Sequence, residues 1–231
     1  FDTIVQGTRR ALEFAVQAGA KKFLFTSSGA VYGRQPNEVT HVVEEFGGAP
    51  DPCATTSAYG EGKRSAELLC AIFHQQHGLE TKIARCFAFV GPYLPVNARY
   101  AIGNFAGAAV QGLPITVTGN PATTRSYLYA ADMAIWLWQI LVRGQAGRPY
   151  NVGSEQAMTM AELAESVAGQ FTPKPEIRFI QQGQTGAGPS RYVPCTQRAA
   201  ELGLAQTVPF EGALHRYVCF VAAQAQGKAK V

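Results

Sequence analysis

Lys22-Phe23-Leu24-Phe25-Thr26 opens the stretch that decides the fold, and Thr81-Lys82-Ile83-Ala84-Arg85-Cys86-Phe87 closes it. Each is a short apolar run and reads as a strand. Between them, Ala58 to His77 reads as a long helix. Its apolar residues Leu68, Leu69, Ile72 and Phe73 recur at helical spacing, and Gly78 stops it.

The same alternation continues outward. Thr8 to Ala18 reads as a helix, with Leu12, Ala15 and Val16 on one face and Gly19 past its end. Asn104–Val110 reads as a helix, Pro114–Thr118 as a strand, and Tyr127–Tyr129 as a shorter one. Ala131–Val142 is an apolar helix with Asp132 in its first turn, where a carboxylate suits the helix dipole. Tyr150-Asn151-Val152 is a strand. Thr159-x-x-Glu162 fits a capping box opening the next helix. Phe210–Ala223 is the last helix, and 181–190 has a Gly- and Gln-rich loop composition. Helices alternating with strands predict an α/β fold. The polar segment from Gly33 to Ser57, about 25 residues, is longer than most connections, so it is functional or poorly ordered.

Of 231 residues, 47% are hydrophobic and 16% charged, which suits a packed core and argues against disorder. The net charge of +4 is too small to argue for nucleic acid, yet suits an anionic small molecule. The apolar run from Met133 to Val142 is too short to span a bilayer, and residues 1–4 do not read as a signal peptide. Cysteines stand at 53, 70, 86, 195 and 219, with no C-x-x-C pair. They read as free thiols of a reducing, cytoplasmic compartment. His74 and His77 have no further ligands in view, and no metal is expected. Trp136 and Trp138 read as packing residues, and Glu45 as a loop anchor.

The chemistry starts at Tyr59-Gly60-Glu61-Gly62-Lys63. Residues i and i+4 share a helix face, so phenol and ammonium point the same way. An ammonium beside a phenol favours phenolate, and a phenol so tuned can exchange a proton with a substrate hydroxyl. Upstream, an apolar strand runs into Thr26-Ser27-Ser28 and then Gly29-Ala30-Val31-Tyr32-Gly33. Hydroxyls at the end of a parallel strand sit where open α/β sheets bind ligands.

With Arg85-Cys86-Phe87-Ala88-Phe89-Val90-Gly91-Pro92, Gly119-Asn120, Arg125 to Asp132 and Tyr150 to Gly153, the order and spacing resemble the extended short-chain dehydrogenase/reductase family. Its members include the NAD-dependent epimerases and dehydratases of nucleotide sugars. The resemblance runs from Gly7-Thr8 to about Leu204. It implies the C-terminal part of a Rossmann-like, doubly wound parallel sheet plus a smaller mixed α/β substrate-binding lobe. Residues 1–92 are expected to carry the catalytic groups. Residues 93–231 are expected to form mainly the substrate lobe, with 120–152 partly returning to the Rossmann part.

The resemblance also implies roles. Ser28, Tyr59 and Lys63 are the catalytic residues: Ser28 hydrogen-bonds the substrate hydroxyl, Tyr59 is the general acid/base, and Lys63 holds the nicotinamide ribose. Ser27, Cys86 and Phe87 join Tyr59 and Lys63 at the cofactor, which is NAD or NADP, with NAD favoured. Ala88, Arg125, Arg191 and Tyr192 join Ser28 at the nucleotide-diphosphate sugar. Arg125 contacts its diphosphate, and Tyr192 walls the pocket. The implied enzyme is an epimerase or keto-reductase working through a 4-keto intermediate, and a homodimer through helices 8–18 and 58–77.

Departures keep alternatives in view. The family's glycine-rich cofactor turn does not occur in these residues, so this chain alone is expected to bind NAD poorly. An inactive fragment, a substrate lobe without its cofactor lobe, is one alternative. Gly29 and Ala30 stand where 4,6-dehydratases carry an Asp-Glu pair, which disfavours that activity; a dehydratase relative without the pair is the other alternative. Ala88, Ile4 and Cys195 also depart from the family's usual Asn, Asn and Asp.

Overall fold

The computed structural model describes residues 1–96, 100–180 and 190–228. In chain order the elements are α1 (Asp2–Gln17), β1 (Lys22–Ser28), α2 (Ala58–His77), β2 (Glu80–Cys86), β3 (Phe89–Val90), α3 (Ala101–Val110) and β4 (Ile115–Thr118). There follow β5 (Thr124–Arg125), β6 (Leu128–Tyr129), α4 (Ala130–Arg143), β7 (Pro149–Val152), β8 (Met158–Thr159) and α5 (Met160–Ala168). The last are β9 (Ile177–Ile180), β10 (Arg191–Tyr192), α6 (Gln197–Ala200) and α7 (Phe210–Lys228). Short 3-10 turns occupy Gly29–Tyr32 and Thr55–Ser57. The fold is α/β with parallel strands of the Rossmann type. The Gly- and Gln-rich loop, apart from Ser190, lies outside the described residues.

Two compact units divide the chain. The first comprises Phe1–Phe87, Met133–Glu155 and Tyr192–Ala205; the second comprises Ala88–Asp132, Gln156–Arg191 and Gln206–Val231. The chain therefore passes from the second unit back to the first within the first turn of α4.

In the first unit, β1, β2 and β7 form a parallel sheet in that order. The register runs from Lys22↔Glu80 to Ser28↔Cys86, and from Ile83↔Pro149 to Cys86↔Val152. Three strand ends thus finish side by side, with Ser28, Cys86 and Val152 abreast. Helices α1 and α2 bury Leu12, Ala66, Leu69, Cys70 and Phe73 with Phe25 and Ile83 of the sheet. Each large apolar side chain so buried contributes about 1.5–3 kcal/mol. α1 begins well before the expected Thr8, because Ile4 and Val5 also pack on this cluster and offset the helix-weakening Gly7. Gly78 closes α2 at φ 66°, a conformation that favours glycine.

In the second unit, β4 pairs with β9 and β3 with β6 in parallel, while β5 pairs with β8 antiparallel. Helices α3, α5 and α7 share a core containing Ile102, Phe105, Leu163, Phe210, Leu214 and Tyr217. The expected capping box is present: Thr159 accepts from the Glu162 backbone at 3.1 Å, and Glu162 accepts from the Thr159 backbone at 2.7 Å. Asp132 opens α4 and is buried, accepting from the Thr207 hydroxyl and the backbone N–H groups of Thr207 and Val208.

Candidate active site

Ser28 is the last residue of β1 and is buried. Its hydroxyl oxygen caps the Gly29–Tyr32 turn by accepting the Ala30 N–H at 3.2 Å. The Tyr192 hydroxyl stands 3.4 Å from the same oxygen and 3.4 Å from the Cys86 carbonyl, to which it donates. The Tyr192 ring packs on Phe87, with centroids 4.6 Å apart. This packing needs the glycine at 29: a Cβ there would stand 2.7 Å from the Phe87 ring and 2.8 Å from the Tyr192 hydroxyl. The place of a side chain at position 29 is thus filled from the opposite wall.

Tyr59 lies in the first turn of α2 and is half exposed. Lys63 follows one turn later. Its ammonium donates to the Thr26 carbonyl at 2.7 Å, lies 4.9 Å from the Phe25 ring centroid, and lies 5.9 Å from that of Tyr59. The i, i+4 spacing therefore brings phenol and ammonium to one face, as expected. Burial lowers the Lys63 pKa, and the nearby Glu67 carboxylate opposes that effect. Burial pushes the Cys86 thiol up to about 12, against the pull of Lys63, which keeps it a thiol near neutral pH.

The remaining predicted residues fall as follows. The Ser27 hydroxyl donates to Glu67 at 2.5 Å. In the second unit, the Ala88 carbonyl accepts from Leu128 N–H at 3.1 Å. Arg125 donates to the Thr124 carbonyl at 2.9 Å and to the Ser190 hydroxyl at 3.3 Å. Arg191 is half-buried in β10. Among the described residues, no group of three His, Cys, Asp or Glu side chains could hold a metal ion. Nor is any described helix long and apolar enough to cross a membrane.

Sequence reasoning missed a buried polar network behind this site. Arg85 forks onto Glu67, at 2.7 Å and 3.0 Å, and also donates to the Tyr32 hydroxyl and the Glu44 carbonyl at 3.0 Å. Tyr32 donates to the Asn151 side chain at 2.7 Å, and burial pushes its pKa up to about 12. Asn151 in turn holds Val42 and Cys195 carbonyls at 2.9 Å and 3.0 Å, and its backbone N–H donates to Glu44 at 2.8 Å. Glu45, expected as a loop anchor, is bonded to Arg198. The long 33–57 segment is thereby tied to β7 and to the 192–195 strand end. One signal could have found the network: Glu67 falls one further turn beyond Tyr59 and Lys63, on the same helix face.

This chain belongs to the NAD dependent epimerase/dehydratase family, whose profile matches residues 1–153. It is 35% identical over 201 residues to UDP-glucuronic acid decarboxylase 6 of Arabidopsis thaliana, covering 87% of this chain and 57% of that one. It is 32% identical over 213 residues to UDP-glucuronic acid decarboxylase 1 of Xenopus tropicalis, covering 92% and 49%. The chain thus spans about half the length of these curated relatives. In fold it is similar to UDP-glucose 4-epimerase of Thermotoga maritima in complex with UDP-glucose. The TM-score is 0.86 at 22% identity, over 97% of this chain and 71% of that one.

Proposed function

We propose that this chain carries the proton-transfer half of an enzyme that oxidises a nucleotide-activated sugar at C4, using NAD or NADP. The observation that carries this reading is Lys63 seated on the Thr26 carbonyl, one turn after a half-exposed Tyr59 and beside the strand end bearing Ser28.

The residues present fit the nicotinamide end of such a cofactor. An ammonium has three N–H donors, and the bond to Thr26 uses one, leaving Lys63 two for ribose hydroxyls. The strand ends at Ser27, Cys86 and Phe87 offer backbone groups beside it. A nicotinamide held there would supply hydride acceptance from sugar C4 and hydride return.

Tyr59 takes the proton of the C4 hydroxyl as hydride leaves, giving the 4-keto sugar. Lys63 sets its ammonium on the same helix face as the Tyr59 ring, 5.9 Å from its centroid. Ser28 hydrogen-bonds the substrate hydroxyl, and Tyr192 closes the wall over Ser28. In the second unit, Arg125 and Arg191 supply guanidinium groups suited to a diphosphate. Return of hydride and proton to the other face of C4 completes a 4-epimerase, and return to a 4-keto substrate makes a reductase.

The curated relatives favour a second ending. In a hexuronic acid the 4-keto group stands β to the C6 carboxylate. The C5–C6 bond can then break with loss of CO2, its electrons passing to the C4 carbonyl as an enolate that is protonated at C5. Gly29 and Ala30 offer no acid or base for eliminating water, which disfavours a 4,6-dehydratase. We further propose that the protein works as a homodimer through α1 and α2.

The test uses the natural gene product carrying this sequence, with UDP-glucose and UDP-glucuronate as substrates. Tyr59→Phe should abolish turnover while sugar-nucleotide affinity is kept, and Lys63→Ala should weaken both cofactor affinity and rate. Retention of more than a few per cent activity by Tyr59→Phe overturns the reading. CO2 release from UDP-glucuronate selects decarboxylation over epimerisation.

A further inference from the structure

Tyr59, Lys63 and Glu67 follow one another at four-residue spacing on α2, so they lie on one helix face. Glu67 is nearly buried, and so is its partner Arg85, with side-chain exposures of 12% and 14%. Its Oε1 accepts the Ser27 hydroxyl at 2.5 Å and Arg85 Nε at 3.0 Å, while its Oε2 accepts Arg85 Nη2 at 2.7 Å. Ser27 and Arg85 are directly opposed in the β1–β2 register. One carboxylate from α2 therefore grips both strands at the same level. The residue before Ser27 supplies the carbonyl that holds Lys63, and the residues after Ser27 and Arg85 are Ser28 and Cys86.

A carboxylate and a guanidinium withdrawn from water cost more than a hydrophobic pair of similar size would. Here the pair is placed where a displacement of helix against strand would change the distance from Lys63 to Thr26. We propose that Glu67, locked by Arg85 and Ser27, is the positioning residue of the Tyr59–Lys63 pair, holding Lys63 against the end of β1 and balancing its charge. This role rests on the function proposed above for Tyr59 and Lys63.

The charged and titratable groups around the pair come from each element packed on it. They are Cys70 and Tyr59 on α2, Cys86 on β2, Tyr32 on the 3-10 turn, and Glu44, whose carboxylate faces Tyr32 from the loop. Glu67 contributes a raising influence on Lys63 that burial opposes. Losing its charge leaves Arg85 uncompensated and favours neutral Lys63 at a lower pH. Losing Arg85 instead leaves Glu67 uncompensated and favours the ammonium to a higher pH.

The experiment is competitive acetylation of Lys63 with acetic anhydride across pH, read by mass spectrometry on the natural gene product. This readout needs no activity. Glu67→Gln should move the Lys63 midpoint down by about one pH unit and Arg85→Gln should move it up, magnitudes typical of one nearby charge. Glu67→Asp, which keeps the charge, should restore most of the Lys63 midpoint. Opposite shifts in the two single variants, with folding verified by circular dichroism, support the proposal. If either single variant folds and titrates Lys63 as the parent does, the proposal is overturned. Should one fail to fold, the other decides with Glu67→Asp. Tyr59→Phe separates the two ideas: full activity there sinks the functional reading, whereas an inactive Tyr59→Phe with unshifted Lys63 in Glu67→Gln sinks only the positioning role.

Discussion

Gly60 lies so near the Ala30 carbonyl that a Cβ on it would stand 2.8 Å from that oxygen, and 2.8 Å from Pro50 Cγ as well. The residue after Tyr59 is thus pressed against the turn that Ser28 caps. A backbone oxygen cannot step aside as a flexible side chain can. Gly60→Ala should push the start of α2 away from the turn. We expect a loss of about 1–3 kcal/mol, seen in thermal denaturation as a fall in Tm of roughly 2–10 °C. An unchanged Tm would show that the contact relaxes without cost.

Asn151 is fully buried and satisfies three partners with one amide: the Tyr32 hydroxyl and the Val42 and Cys195 carbonyls. Asn151→Leu keeps the branched shape but removes all three bonds. The Val42 carbonyl retains the Cys195 N–H and Tyr32 still accepts from Arg85, while the Tyr32 proton loses its acceptor and the Cys195 carbonyl loses the amide donor. Each orphaned polar group costs about 1–3 kcal/mol. Chemical denaturation should therefore show a loss of several kcal/mol, and limited proteolysis should cut first within 33–57. A variant as stable as the parent would mean that the loop holds itself without this amide.

The sequence made the long elements legible and hid the polar network. α2 and the Thr159 capping box are written in local signals, a Gly stop and a four-residue motif, and both are found where expected. α1 is longer than expected because Gly7 reads as a weak helix residue, while the packing of Ile4 and Val5 is a tertiary fact. The two-residue strands β3, β5, β8 and β10 are too short to carry any periodicity, whereas β6 falls within the expected Tyr127–Tyr129 strand. The four-residue step from Lys63 points to Glu67, but the convergence of Ser27 and Arg85 on its carboxylate comes from the β1–β2 register. Tyr59 and Lys63 were legible because helix geometry alone puts them on one face.

Burial raises several acids that ionise in alkali. Cys70 and Cys86 are pushed from 9.0 up to about 12, and Tyr32, Tyr127 and Tyr217 from 10.0 up to about 12. Below pH 9 these groups are protonated both folded and unfolded, so their stability is fully present there. Between about 9 and 12 the unfolded chain releases protons that the folded chain still holds, so stability falls as pH rises. Urea midpoints should be flat from pH 7 to 8.5 and decline steadily above 9. At pH 8, iodoacetamide should label the exposed Cys53 and Cys219 well before Cys70 and Cys86. Early labelling of Cys86 would contradict its half-buried, protonated state.

On α1 and α2 the apolar residues divide into two sets. Leu12, Leu69 and Phe73 are buried in the core of the first unit, and Val16 packs partly against it. Phe14 and Leu68 face outward, 70% and 62% exposed. The core accounts for one face of each helix and leaves Phe14 and Leu68 without a partner inside the unit. A two-fold axis through this helix pair would cover both, since the same patch from each copy buries the other. Phe14→Glu combined with Leu68→Glu should convert a dimer into a monomer in light scattering at tens of micromolar, with circular dichroism unchanged because neither side chain belongs to the core. If the parent protein is itself monomeric under these conditions, or the double variant remains dimeric, α1 and α2 are not the dimer interface.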